Sequence, residues 1–117
     1  MTVLFILNDP PYGTERAYNA LRLAGALLKA DPATRITVFL MGDAVIGAKR
    51  GQKTPEGFYS IERMLNRVRA GGGQILLCGT CMDARGFTDA EVMDGAARGT
   101  MDGLAAATAA ADKVLVF

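Results

Sequence analysis

The chain has 117 residues, half of them hydrophobic, with 13 basic against 12 acidic side chains and a net charge of +1. That length suits one domain over residues 1–117 with a real core. The apolar content excludes a disordered chain, the balanced charge excludes an electrostatic nucleic-acid binder, and no apolar run approaches the roughly 20 residues that cross a bilayer.

Val3-Leu4-Phe5-Ile6-Leu7 is continuously apolar, which predicts a strand buried on both faces in a parallel sheet. Thr2 to Leu7 lacks the basic segment that precedes a signal peptide's apolar stretch. Asn8-Asp9-Pro10-Pro11-Tyr12-Gly13 breaks the strand with turn chemistry. Thr14 is the expected N-cap of a helix running to about Lys29, with Glu15 suited to its positive end. Ala17, Ala20, Leu21, Ala24, Leu27 and Leu28 recur at the spacing of one buried face. Asp31-Pro32 stops this helix, and Arg35 to Met41 is the second strand. Gly42 to Phe58 is expected mainly as loop, with a helical turn over Asp43 to Ala48, and it carries Lys49, Arg50 and Lys53. A connection this long is functional, mobile or a plain surface excursion.

Ser60 is expected to cap a helix to Ala70 that buries Ile61, Met64, Leu65 and Val68, with Gly71-Gly72-Gly73 ending it. Ile75 to Leu77 form the third strand, and a loop reaching Gly86 follows. Thr88-Asp89-Ala90-Glu91 predicts the cap and first turn of a short helix interrupted by Gly95 and Gly99. Thr100 starts an alanine-rich helix to about Ala111, and Lys113 to Phe117 is the last strand. This alternation predicts an α/β three-layer sandwich: a parallel sheet of order about 2-1-3-4 with helices on both faces. Ligands bind such sheets beyond the carboxyl ends of the strands where winding reverses, here between strands 1 and 3. The expected crevice therefore joins Asn8, Asp9 and Tyr12 to Cys78, with Gly13 and Thr14 presenting free amides to an anion at the start of the first helix.

Both cysteines stand in Cys78-Gly79-Thr80-Cys81, where a strand opens into a turn. Two thiols at that spacing mark a reactive site. Gly79 lets the backbone bend beside Cys78, the Gly79 and Thr80 amides can point at its sulfur, and Arg85 adds positive charge; each favours thiolate. The plain alternative is a pair of small apolar residues closing a core strand. Asp9 would raise the pKa of a nearby thiolate, so its expected task is to cap the first helix. There is no histidine, which excludes Ser-His-Asp and Cys-His catalysis and removes the commonest metal ligand. Two cysteines cannot complete a four-ligand zinc site alone, although one shared between subunits stays possible; no metal is expected within the chain, and no cofactor. With no targeting signal the chain is expected in the cytoplasm, where thiols stay reduced. Met64, Met93 and Met101 read as core or interface filling.

Several segments in order resemble the DsrE/DsrF family, most closely its YchN-like branch. Asn8-Asp9-Pro10-Pro11-Tyr12-Gly13-Thr14 is similar to the family's first loop, and Phe39-Leu40-Met41-Gly42-Asp43-Ala44-Val45 to its second strand exit. Arg50-Gly51-Gln52-Lys53 is similar to its long loop, Leu77 to Gly86 to its cysteine loop, and Ala111 to Phe117 to its terminal strand. The resemblance implies small subunits assembled as trimers or hexamers, and a persulfide-carrying cysteine just after the third strand. Counted back from Arg85-Gly86, that position is Cys78.

On this reading the Cys78 thiolate accepts sulfane sulfur from a donor protein and passes it to an acceptor thiol. Cys81 either resolves the Cys78 persulfide or packs, and Arg85 either faces the sulfur or forms an ordinary salt bridge. An alternative is a non-catalytic oligomeric module binding a small ligand or partner protein; a third is a Cys-x-x-Cys thiol redox protein. The third fits less well, because that motif normally opens a long helix. Association of like chains has its own rationale, since a small, half-hydrophobic domain with an alanine-lined last helix has apolar surface to cover. The last helix or the long loop is expected at the subunit contact, with the Cys78 crevice near the boundary.

Overall fold

The structure is a computed structural model that describes residues 1–117. Val-, Ile-, Leu- and Phe-rich runs form four parallel strands: β1 (Thr2–Leu7), β2 (Arg35–Leu40), β3 (Gln74–Cys78) and β5 (Lys113–Val116). A fifth, β4 (Ala96–Gly99), has no β-branched residue and exists through its ladder with β3, Ile75 facing Ala96 and Cys78 facing Gly99. The sheet order is β4-β3-β2-β1-β5. Phe5, Phe39, Leu4, Leu7, Leu40, Ile75 and Leu77 are fully buried and form the centre of the core.

The fold class is the expected one, a parallel α/β sheet with helices on both faces. Helices α1 (Arg16–Ala30) and α2 (Ile61–Ala70) pack on each other, while α4 (Met101–Ala110) packs against β1. Steps from β1 to β4 run one way across the sheet and the step to β5 reverses, so crossovers of one hand place α4 on the opposite face from α1 and α2. The strand order needs one correction. The last strand lies beside β1, and β3 lies outside β2 rather than against β1. Winding therefore reverses between β1 and β5, and β2 separates the end of β1 from the end of β3.

Local signals set the helix ends. The Ser60 hydroxyl accepts from the Arg63 amide and Thr100 from Gly103, both as caps. The cap of α1 is Glu15 rather than Thr14, although the Arg16 amide reaches the Thr14 hydroxyl at 3.4 Å. The helical turn expected over Asp43 to Ala48 is present as a 3₁₀ segment, Gly42–Ala48, whose Ala44, Val45 and Ala48 are buried, so the long connection starts inside the core. Two differences lie in the connections. The expected loop after Cys78 begins as a six-residue helix, α3 (Gly79–Ala84). The stretch before Gly99 is β4, preceded by a 3₁₀ turn over Asp89–Glu91.

Candidate active site

Cys78 ends β3 and caps α3 with its own side chain: the Cys81 amide donates to Cys78 Sγ at 3.3 Å. The Thr80 hydroxyl lies 3.3 Å from the same sulfur. The donating amides belong to Thr80 and Cys81, one residue further along than the Gly79 and Thr80 pair expected from the sequence. Cys78 is 8% exposed and both thiols are free. Burial pushes the Cys78 thiol up, but hydrogen bonds from the Cys81 thiol, the Thr80 hydroxyl and the two amides outweigh it and hold the pKa below the ordinary thiol value. Cys81 moves the other way: burial and its hydrogen bond to Cys78 push it up, against the Gly42 amide and the Arg85 charge. Of the two, Cys78 is thus the thiol that gives up its proton first.

Cys78 lies in the wall of a cavity of about 320 Å³ formed where β3 and β4 end against the start of α4. Phe39, Met41 and Met101 make it partly apolar; Thr80, Asp83, Arg98 and Thr100 supply its polar atoms. Arg98 went unrecognised in the sequence because β4 did. Its Nε donates to Asp89 at 2.6 Å, its Nη2 to Asp83 at 2.8 Å and its Nη1 to the Gly79 carbonyl at 3.0 Å. A Cβ on Gly79 would lie 3.0 Å from Arg98 Nη1, so this glycine makes room for a guanidinium and not for an unusual backbone angle.

Arg85 makes no hydrogen bond to the Cys78 sulfur. It pairs with Asp43 at 2.8 Å and donates to the Cys81 carbonyl at 3.0 Å, so its charge is spent on the Cys81 side. Asn8, Asp9, Tyr12, Gly13 and Thr14 do not join Cys78 in one crevice, because β2 intervenes. Asn8 Nδ2 donates to the Phe117 carbonyl, and Asp9 accepts from the Thr14 hydroxyl and pairs with Arg16 at 3.6 Å. Tyr12 donates to Gln52 and accepts from the Ile61 amide; together with Gly13 it lines a separate cavity with Phe58 and Tyr59. Lys49 and Arg50 are paired with Glu91 and Asp94, so they stitch the long connection down and leave the thiols unrimmed.

Residues 1–117 match the DsrE/DsrF-like family. The chain is 43% identical over 115 residues to protein YchN of Escherichia coli K12, covering 98% of this chain and 97% of that one. An uncharacterized protein of Methanocaldococcus jannaschii is 35% identical over 118 residues, with complete coverage of both. The crystal structure of the E. coli ychN protein superposes with a TM-score of 0.94 at 42% identity, over 99% of this chain and 98% of that one. No helix is long and apolar enough to cross a membrane.

Proposed function

The chain belongs to the DsrE/DsrF-like family along its whole length, and from that premise we propose that it is a cysteine persulfide carrier or sulfurtransferase acting through Cys78. The Cys78 thiolate attacks the outer sulfur of a donor persulfide R–S–SH. A sulfur–sulfur bond forms to Cys78 as the donor bond breaks, leaving Cys78–S–SH and the donor thiolate. An acceptor thiolate then attacks the outer sulfur, takes it as its own persulfide and returns the Cys78 thiolate. Both steps conserve the number of sulfur–sulfur bonds and need no oxidant, reductant or general base. The observation that carries this reading is the Cys78 sulfur: it accepts from the Cys81 amide in the wall of a cavity of about 320 Å³. Thr80 and Cys81 hold the thiolate that must both attack and leave.

A second reading is favoured by α3. Because a helix opens at Cys78 and Cys81 sits in its first turn, the pair has the local arrangement of a dithiol redox site. In that case the Cys81 thiolate attacks the inner sulfur of the Cys78 persulfide, forming a Cys78–Cys81 disulfide and expelling hydrosulfide. Mass spectrometry of the intact chain after exposure to a persulfide donor separates the outcomes. A gain of one sulfur on the Cys78 peptide supports the carrier, and a loss of two hydrogens supports the redox pair. No change at either thiol leaves a non-catalytic module binding a ligand or partner.

The working unit in this proposal is a homo-oligomer, a hexamer or otherwise a trimer, placed in the cytoplasm where its free thiols stay reduced and sulfur donor and acceptor proteins can reach them. Only Leu104 of α4 is buried, whereas Met101 is 63% and Val116 of β5 65% exposed. Apolar residues left exposed on the last helix and on the edge strand support a neighbour there. Met101 also lines the Cys78 cavity, which would put the reacting thiol beside that boundary.

A further inference from the structure

Helix α3 has six residues, too few to hold itself in water, so contacts with the rest of the fold must fix its direction. Met82 anchors its inner face in the core and Arg85 ties its end to Asp43, while one side chain spans both of its ends. Arg98 reaches from β4 to the Gly79 carbonyl at the start of α3, to Asp83 near its end, and to Asp89 in the 3₁₀ turn beyond. The ladder fixes its origin, since Leu77 faces Arg98 and Cys78 faces Gly99. The absence of a side chain on Gly79 lets the guanidinium lie against the backbone that follows the thiol.

We propose that Arg98 is a positioning residue for the Cys78 site: its guanidinium, bound to both ends of α3 and to Asp89 beyond it, holds the Thr80 and Cys81 donors on the Cys78 sulfur. The clamp rests on reading Cys78 as the reacting thiol. It acts through geometry. Asp83 and Asp89 neutralise Arg98, and Arg85 neutralises Asp43. Cys81 completes the set of titratable groups about the sulfur, and its own pKa is pushed up. Without the guanidinium, the start and end of α3 lose their tie to β4, although Met82 stays buried in the core. Looser donors at the sulfur disfavour the thiolate.

The test is the pH profile of Cys78 alkylation by iodoacetamide, read by peptide mass mapping in the otherwise native chain, with Arg98→Lys and Arg98→Gln. Both variants should raise the Cys78 midpoint by about one pH unit, which lowers its thiolate fraction about tenfold at pH 7. Lysine keeps the charge but cannot bridge three acceptors in fixed directions, so it should rescue little. A Lys variant with the native midpoint would reduce Arg98 to a simple charge and overturn the positioning role. A Gln variant that melts earlier yet keeps the native midpoint would reduce it to a structural tie. If Arg98→Gln does not fold, the Lys variant decides alone. If the native protein takes up no sulfur while the midpoints still shift, the persulfide reading falls and the clamp stands.

Discussion

A Cβ on Gly99 would lie 2.7 Å from Cε2 of Phe39 and 3.0 Å from its Cζ. Gly99 is the β4 residue that faces Cys78, and Phe39 is 1% exposed. The sheet therefore brings backbone against an aromatic ring in the wall of the thiol cavity. Gly99→Ala must push the ring or the strand aside, at a cost of about 1–3 kcal/mol. Urea denaturation should show that loss, and alkylation of Cys78 should slow as the cavity narrows. A variant with native stability and native alkylation rate would mean that Phe39 moves freely.

Replacing each cysteine in turn tests which thiol reacts. Cys78→Ser should remove the fast-alkylating thiol, and Cys81→Ser should keep it. A fast thiol surviving in Cys78→Ser would transfer the reactive role to Cys81.

The pH dependence of stability follows from the directions of the two shifts. Cys78 is lowered in the folded chain, so its contribution is complete above the unfolded thiol pKa and is lost as pH falls through the folded value. Cys81 is raised, so its contribution is complete below the unfolded pKa and is lost as pH rises through its folded value. Cys81→Ser removes the second and leaves the first to the Thr80 hydroxyl, the two amides and the introduced hydroxyl. Urea midpoints for that variant should rise with pH between the folded Cys78 value and the ordinary thiol value, relative to a chain lacking both cysteines. A flat difference would show that the Cys78 sulfur has no preference for thiolate.

Most strands were legible because a parallel strand buried on both faces needs apolar side chains throughout, and Val3 to Leu7 or Ile75 to Leu77 has little else. Ala96-Ala97-Arg98-Gly99 carries no such pattern. Its strand state comes from pairing with β3, a contact that no local propensity encodes. Arg98 is hidden with it, although Gly95 and Gly99 on either side of a three-residue stretch mark out a short strand. The start of α3 was hidden by glycine and threonine, which are weak helix formers. Its end was readable in retrospect: Gly86 has φ +63°, the left-handed turn that commonly follows a helix. Strand order was misjudged because apolar runs say which segments are buried, not which are neighbours. That one error misplaced Asn8, Asp9 and Tyr12, while Cys78, Gly79, Thr80 and Cys81 stayed together because they are joined along the chain.

The cap of α2 offers a measure of local stability away from the thiols. Ser60 is buried and its hydroxyl accepts from the Arg63 amide. Ser60→Ala should cost about 1 kcal/mol. For a domain of this size that is a fall in melting temperature of about 4 °C. Cys78 alkylation should be unchanged; a parallel loss of thiol reactivity would mean that α2 and α3 are coupled.

Val116→Asp probes the exposed edge. It places a charge on β5 without touching the cavity, so sedimentation should report smaller particles with native circular dichroism. Unchanged mass would move the subunit contact elsewhere.

The pairing of β1 with β5 has a consequence for how the chain reaches its fold. The Asp112 amide donates to the Thr2 carbonyl and the Asn8 amide to the Phe117 carbonyl, closing a loop of more than one hundred residues. During synthesis β1 emerges first, yet one of its edges stays open until the last strand arrives. Phe5, which stacks on Phe117 with ring centroids 6.1 Å apart, waits with it. The slowest folding step should therefore be the docking of residues 113–117. A nascent chain stalled before them should present a bare apolar edge, the kind that recruits chaperones or seeds aggregation.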